Sequence, residues 1–186
     1  MLRSHSKNIF CLESLWDNDV ENRLTVLPIL ELLRQVNRVE FAHLSCNTRE
    51  EFEFNLRRAP RRRSYLVLYL AFHGDRNGIS LPDESHISFS ELAGLMGQRF
   101  KGWTIHFGAC SAVSEKNEEI LEFIEQTGVA MVTGYGRSVD WAESAAMDFL
   151  FLSALQRYRK KASFRKHMET SYPDLIRLND FQIVTC

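Results

Sequence analysis

The sequence is poor in the residues and runs that define several protein classes. Its 186 residues include nine glycines and four prolines, and 23 Lys and Arg nearly balance 24 Asp and Glu. So little glycine and proline excludes collagen-like and low-complexity chains. The balanced charge gives no electrostatic reason to expect nucleic acid or an anionic membrane as partner. No run approaches the roughly 20 apolar residues that span a bilayer, and residues 1–6 lack the apolar core of a secretory signal.

Cysteine is also scarce, and its spacing excludes a dense disulfide framework. The four cysteines are Cys11, Cys46, Cys110 and Cys186, and no two form a CxxC pair. We therefore expect a reducing, cytoplasmic location, although a Cys11–Cys186 disulfide stays open in an oxidising compartment. No His or Cys shows metal-ligand spacing. Gly134-x-Gly136 lacks the third glycine of a dinucleotide fingerprint, because position 139 is valine. We expect neither a metal nor a cofactor.

Apolar runs and amphipathic runs alternate along the chain. Strands are predicted at Ile9–Leu12, Val39–Leu44, Tyr65–Phe72, Trp103–Ala109 and Val129–Thr133, with a hairpin of Gly78–Leu81 and His86–Phe89 and a last strand at Phe181–Thr185. Helices are predicted to start near Pro28 and to occupy Thr48–Arg57, Ser90–Met96, Glu115–Thr127, Asp140–Tyr158 and part of the tail. Nearly continuous apolar strands that alternate with helices are typical of a doubly wound parallel sheet. We expect one α/β domain over residues 1–186.

Chemistry in such a sheet is expected beyond the carboxyl ends of the strands. His73 follows one predicted central strand, and Cys110 follows the next, 37 residues later. If these strands are neighbours, both side chains open into one crevice. A thiol becomes nucleophilic when a base such as imidazole removes its proton, and the same imidazole can protonate a leaving amine.

An acyl-transfer site also needs N–H donors aimed at the developing oxyanion. Gly74 follows His73 directly, and without a Cβ its backbone can approach a substrate carbonyl. The N–H of Cys110 is the second candidate donor. Taken singly these signals are weak, since a lone buried cysteine is usually a small hydrophobe. The combination of His-Gly after one predicted strand and Gly-Ala-Cys-Ser after the next is a far more specific sign of a catalytic site.

Three segments together resemble the caspase-like (clan CD) cysteine peptidases, and most closely the bacterial CHAT branch. They are Leu70-Ala71-Phe72-His73-Gly74, Phe107-Gly108-Ala109-Cys110-Ser111 and Gly128–Gly134. The resemblance implies a three-layer α/β sandwich with a mostly parallel six-stranded sheet. It also implies a His73–Cys110 dyad and an oxyanion hole from the backbone of Gly74 and Cys110.

In such relatives the S1 pocket draws on the end of the first strand, the residue two before the cysteine, and the loop after the fifth strand. The corresponding positions hold Glu13 or Asp17, then Gly108, then Arg137–Asp140, with Asp140 as the acid. An acid at the first position and nothing basic at Gly108 resembles relatives that accept Arg or Lys.

The sequence also departs from the caspase pattern. Caspases carry Gln-Ala-Cys followed by a basic or small residue and Gly, whereas this chain has Gly-Ala-Cys-Ser-Ala. The His73-to-Cys110 gap is shorter than the roughly 50 residues typical of caspases. No third group that would orient His73 is evident. His106, inside a predicted strand, is expected to be a core or supporting residue.

The leading hypothesis is a cytoplasmic cysteine endopeptidase with a protein substrate and a regulatory protein partner, active in regulated proteolysis, signalling or defence. A second is a caspase-like fold that has lost activity and serves as an interaction module. A third is a flavodoxin- or receiver-like signalling domain in which His73 and Cys110 are incidental. The basic run Arg57–Arg63 is interpreted as a solvated loop.

Overall fold

A computed structural model describes residues 7–17, 21, 23–61 and 63–185, and a mixed α/β architecture organises them. The strands in these residues are β1 (Asn8–Glu13), β2 (Phe41–Ser45), β3 (Tyr65–Ala71), β4 (His73–Asp75), β5 (Gly78–Ser80), β6 (His86–Ser88), β7 (Thr104–Phe107), β8 (Met131–Tyr135) and β9 (Phe181–Val184). The helices are α1 (Leu27–Asn37), α2 (Arg49–Arg57), α3 (Phe89–Met96), α4 (Glu118–Thr127), α5 (Trp141–Leu155), α6 (Lys161–Ser171) and α7 (Pro173–Asn179), with a 3₁₀ turn at Gly97–Phe100.

Six strands form the main sheet, in the order β2-β1-β3-β7-β8-β9. The first five are parallel, and β9 is antiparallel to β8. Cys11, Tyr69, His106 and Thr133 stand in register across β1, β3, β7 and β8. The predicted mostly parallel six-stranded sheet is therefore confirmed.

Helices cover both faces of this sheet, because the central strands are apolar on both sides. One core contains Phe52 of α2, Leu92 of α3 and Phe123 of α4. The other contains Leu30 of α1, Phe151 of α5 and, from α6 and β9, Phe164 and Phe181. The molecule is thus a three-layer sandwich.

Local signals in the sequence fix several helix ends. Thr48 caps α2 by accepting a hydrogen bond from the Glu51 N–H, and Ser88 and Glu91 form a reciprocal capping box on α3. Gly128 ends α4 in the left-handed region. The helix predicted from Glu115 begins instead at Glu118, because Asn117 supplies the cap.

A small antiparallel sheet, β4-β5-β6, extends the predicted hairpin by one strand. His73 pairs with Ser80 in this sheet, so it lies on a strand rather than in a loop. Gly78 permits the close β5–β6 contact, since a Cβ there would lie 2.1 Å from the Ile87 carbonyl oxygen. This sheet fixes the backbone on which His73 stands.

The end of the sheet where the parallel strands begin is strongly basic. Two clefts meet there at Leu66. The cations lining them are Lys7, Arg159, Lys160 and Lys161 in the first and Arg61, Arg63 and Arg99 in the second. Among the described residues, no carboxylate lines either cleft.

Across the described residues, no helix is both long and apolar enough to cross a membrane.

Candidate active site

His73 and Cys110 lie at the same end of two neighbouring strands. His73 comes two residues after β3, and Cys110 comes three residues after β7, which pairs with β3 through Leu70 and Phe107. Both side chains line one cavity of about 180 Å³. His73 is exposed and Cys110 is half-buried. The structure therefore brings the two predicted catalytic residues to one crevice.

His73 is held by a backbone carbonyl that the sequence did not reveal. Its Nε2 lies 2.5 Å from the carbonyl oxygen of Trp16. A carbonyl only accepts, so Nε2–H donates, and the neutral ring carries its free lone pair on Nδ1. The Trp16 indole also packs edge-on against the imidazole, with ring centroids 5.3 Å apart. Trp16 thus sets both the tautomer and the orientation of His73.

The surroundings of Cys110 combine a sharp turn with polar neighbours. Ser111 has a positive φ of 56°, and its N–H donates to the Arg137 carbonyl. The Ser138 hydroxyl lies 3.9 Å from the Cys110 Sγ. In the part of the chain that the structure describes, the Cys110 N–H has no hydrogen-bond acceptor, which leaves it available to a ligand.

Gly74 lies directly against the residue that precedes Cys110. A Cβ added at Gly74 would stand 2.9 Å from the Ala109 Cβ and 2.8 Å from the Gly78 carbonyl oxygen. Only glycine lets these backbones come so close. The two predicted oxyanion donors, Gly74 and Cys110, therefore belong to packed neighbouring segments.

The four predicted substrate-binding residues separate into two groups. Asp17 and Gly108 line the cavity. Glu13 and Asp140 do not: Glu13 is 5% exposed and enclosed by its own hydrogen bonds, and Asp140 caps α5 by accepting from the N–H groups of Ala142 and Glu143.

Glu13 has all its acceptor positions occupied. Its Oε1 accepts from Trp16 Nε1 (3.0 Å) and the Val26 N–H (2.8 Å), while Oε2 lies 2.7 Å from the Thr25 hydroxyl and 2.6 Å from His43 Nε2. Burial by itself raises the pKa of Glu13, but hydrogen bonds from His43, Thr25, Trp16 and Val26 outweigh it and lower the pKa below its usual value.

Asp148 is a cavity residue that sequence reasoning missed. It lies on α5, is 3% exposed and lines the cavity. The hydroxyls of Tyr69 and Tyr135 donate to its carboxylate, and His106 Nε2 lies 2.8 Å from Oδ1. Burial, and then the nearby charge of Asp148, raise the pKa of both tyrosines. An acid inside the apolar stretch 145–152 is the signal that could have revealed it.

His106 completes this buried network beneath the cavity. It is fully buried, and its Nδ1 lies 3.0 Å from the Thr133 hydroxyl. Both ring nitrogens are therefore engaged, one by Thr133 and the other by Asp148. His106 does not line the cavity itself but contacts Asp148, which does.

The cavity is negative and walled by aromatic rings. The carboxylates that line it belong to Asp17 and Asp148, and no Lys or Arg lines it within the described ranges. Trp16 and Trp141 meet edge to face, with centroids 4.9 Å apart. This combination suits a cation with an extended apolar stem. Among the described residues, no group of three His, Cys, Asp or Glu side chains is arranged to hold a metal.

Comparison with known proteins gives the family. A family model described as "Family of unknown function (DUF6642)" matches residues 6–184. The chain belongs to this family. Among proteins with curated descriptions, none matches it.

The DUF6642 chain is similar in fold to a solved peptidase, a secreted C11 cysteine protease from Bacteroides thetaiotaomicron in complex with an irreversible peptide inhibitor. The TM-score is 0.57 at 11% sequence identity, over 89% of this chain and 59% of the C11 chain. The DUF6642 chain therefore matches less than two thirds of the protease. The likeness supports the predicted caspase-like fold, while the CHAT branch stays a prediction.

Proposed function

We propose that this chain is a cysteine endopeptidase in which Cys110 is the nucleophile and His73 is the general base and acid. One observation carries the proposal: His73 and Cys110 line the same cavity at the ends of neighbouring strands, with His73 Nε2 already bound by the Trp16 carbonyl. The fold likeness to a C11 cysteine protease supports it.

The proposed reaction follows from the tautomer. Nδ1 of His73 takes the proton of the Cys110 thiol, and the sulfur attacks the scissile carbonyl carbon. The N–H groups of Gly74 and Cys110 stabilise the resulting oxyanion. Protonated His73 then gives its proton to the leaving amine, and a thioester forms. Water, deprotonated by His73, hydrolyses the thioester and releases Cys110 as a thiol.

We propose cleavage after basic residues. Asp17 and the buried Asp148 give the cavity a negative interior, and the rings of Trp16 and Trp141 flank it. Gly108 lines the cavity without a side chain, and a Cβ there would lie 2.7 Å from the Tyr69 ring. Asp17 and Asp148, rather than Glu13 and Asp140, are the acids placed to receive a cationic P1 side chain.

The proposal extends to a protein substrate, a regulatory protein partner and a role for a CHAT-type domain in regulated proteolysis, signalling or defence. His73 is exposed and Cys110 half-buried, so a partner that covers this cavity would control access. The buried free thiols of Cys11 and Cys46 support a cytoplasmic location, in contrast to the secreted C11 neighbour.

The test is the rate at which iodoacetamide modifies each thiol, followed by mass spectrometry in a Cys186→Ser background. We expect Cys110 to react selectively and the reaction to slow by about 100-fold in His73→Ala. Cys46 is the internal control, because burial raises its pKa to about 11. Equal rates at Cys110 and Cys46, or a rate independent of His73, would leave the interaction-module hypothesis in place of the enzyme.

A further inference from the structure

In the segment between β1 and α1, described residues near both ends line the candidate active site. Trp16 and Asp17 near its beginning, and Leu24 and Val26 near its end, line the cavity. Trp16 also supplies the carbonyl that binds His73. The position of this segment therefore affects both the base and the substrate cavity.

A single carboxylate connects the two ends of this segment. Glu13 accepts from Trp16 Nε1 at one end and from the Thr25 hydroxyl and Val26 N–H at the other. His43, on the neighbouring strand β2, bonds to the same carboxylate at 2.6 Å. Glu13 is itself fixed, because it is the last residue of β1 and pairs with Ser45 and Ala71 on either side.

The connection continues from Glu13 to His73 through one residue. The Trp16 indole is bound by Glu13 through Nε1 and packs against both His73 and Trp141. The Trp16 carbonyl then accepts from His73 Nε2. Because Glu13 is 5% exposed, water cannot readily replace the bonds that it accepts.

We propose that Glu13 is a positioning residue that fixes the Trp16 carbonyl, and through it the tautomer and orientation of His73, while holding the Thr25–Val26 wall of the cavity in place. This inference rests on the proposed function, because it gives Glu13 a role only if His73 acts on Cys110. It gives Glu13 a role in the site although its side chain does not line the cavity.

The experiment measures Cys110 alkylation against pH in wild type, Glu13→Gln and Glu13→Leu. Leucine accepts no hydrogen bond, so we expect the rate near pH 7 to fall by about 10- to 100-fold and the pH profile to shift. Glutamine keeps one carbonyl oxygen for Trp16 and Val26, and we expect it to restore much of the rate. Glu40→Leu is the matched control, since Glu40 accepts from Asn8 near the opposite end of the strands. It should leave the rate unchanged.

A second variant separates positioning from loss of folding. Trp16→Phe keeps the carbonyl but removes the Nε1 donor to Glu13, so it should slow alkylation less than Glu13→Leu. In the double variant Glu13→Leu/Trp16→Phe the two effects on the alkylation rate should be less than additive, because both substitutions remove the same hydrogen bond between Trp16 Nε1 and Glu13. Additive effects, or an unchanged rate and pH profile in a folded Glu13→Leu protein, would overturn the proposal.

The two proposals fail in different ways. If wild-type Cys110 reacts independently of His73, the proposed peptidase function fails. If wild-type Cys110 depends on His73 but not on Glu13, the peptidase function stands and the positioning role of Glu13 fails. Thermal unfolding of every variant shows whether a lost rate reflects a lost fold.

Discussion

Glu13 and Asp148 are both buried carboxylates at the end of the sheet that carries His73 and Cys110, yet their environments differ. Glu13 is bound by the segment that carries Trp16, and it does not line the cavity. Asp148 is bound by Tyr69, Tyr135 and His106 and still lines the cavity. A cationic ligand side chain would therefore meet the carboxylate of Asp148 but not that of Glu13.

Replacing Asp148 tests the proposed specificity. An asparagine at this position would keep the shape and part of the hydrogen bonding but lose the negative charge, so Asp148→Asn should lower the preference for P1 Arg over P1 Leu by about ten-fold or more. The measurement is kcat/KM on peptides with P1 Arg, Lys, Asp and Leu. Glu143→Gln, on the same helix but outside the cavity lining, is the control. A wild-type preference for P1 Asp would contradict the assignment.

At the scale of single residues, the sequence indicated which residues line the cavity better than it indicated the hydrogen bonds that hold them. His73, Cys110, Asp17 and Gly108 were found because they follow strands or occupy positions of a known pattern, and all four line the cavity. The Trp16 carbonyl was missed because a backbone acceptor has no sequence signature. Glu13 lies outside the cavity lining because its carboxylate is bound by His43 on β2 and by Trp16, Thr25 and Val26, a set of contacts that has no sequence signature.

At the scale of elements, local chemistry made several helix ends predictable. Thr48, Ser88 and Gly128 act on their own helix ends, so their effects are visible in sequence. Strand β4 could not be predicted from local signals, because it forms only by pairing with β5. Only the structure therefore shows the three-stranded sheet on which His73 lies.

Two glycines near this sheet should respond in opposite directions to the same substitution. Gly78→Ala would place a Cβ 2.1 Å from the Ile87 carbonyl oxygen, so we expect lower thermal stability and slower Cys110 alkylation as β4 loses its support. Gly94→Ala, at an exposed position of α3, meets nothing within 4 Å and should stabilise by about 0.5–1 kcal/mol. The midpoint of thermal unfolding shifts by about 2–4 °C per kcal/mol, so a thermal unfolding measurement resolves the effects of both substitutions. A destabilised Gly94→Ala would contradict this account.

At the scale of the whole molecule, charge is segregated although the net charge is only -1. Cations without carboxylates line the two clefts at the beginning of the strands, and carboxylates line the cavity at the opposite end. Arg61 and Arg63 are far apart in sequence from the run Arg159–Lys161, and the structure brings both groups to clefts that meet at Leu66.

This segregation predicts retention on a cation-exchange resin near pH 7.5 despite the negative net charge, because a resin binds the local patch. The double variant Arg61→Ser/Arg63→Ser should elute at lower salt, whereas Arg177→Ser should change elution little, since Arg177 is paired with Asp174. Flow-through of the wild type, or equal elution of both variants, would contradict the prediction.

The contact between Gly108 and Tyr69 limits which residues position 108 of this chain can accept. A Cβ at position 108 would lie 2.7 Å from the Tyr69 ring, and the Tyr69 hydroxyl is committed to Asp148. A side chain at position 108 would require a smaller residue in place of Tyr69. That replacement would remove the hydroxyl that donates to the buried carboxylate of Asp148. A side chain at position 108 therefore requires a second, compensating change at residue 69.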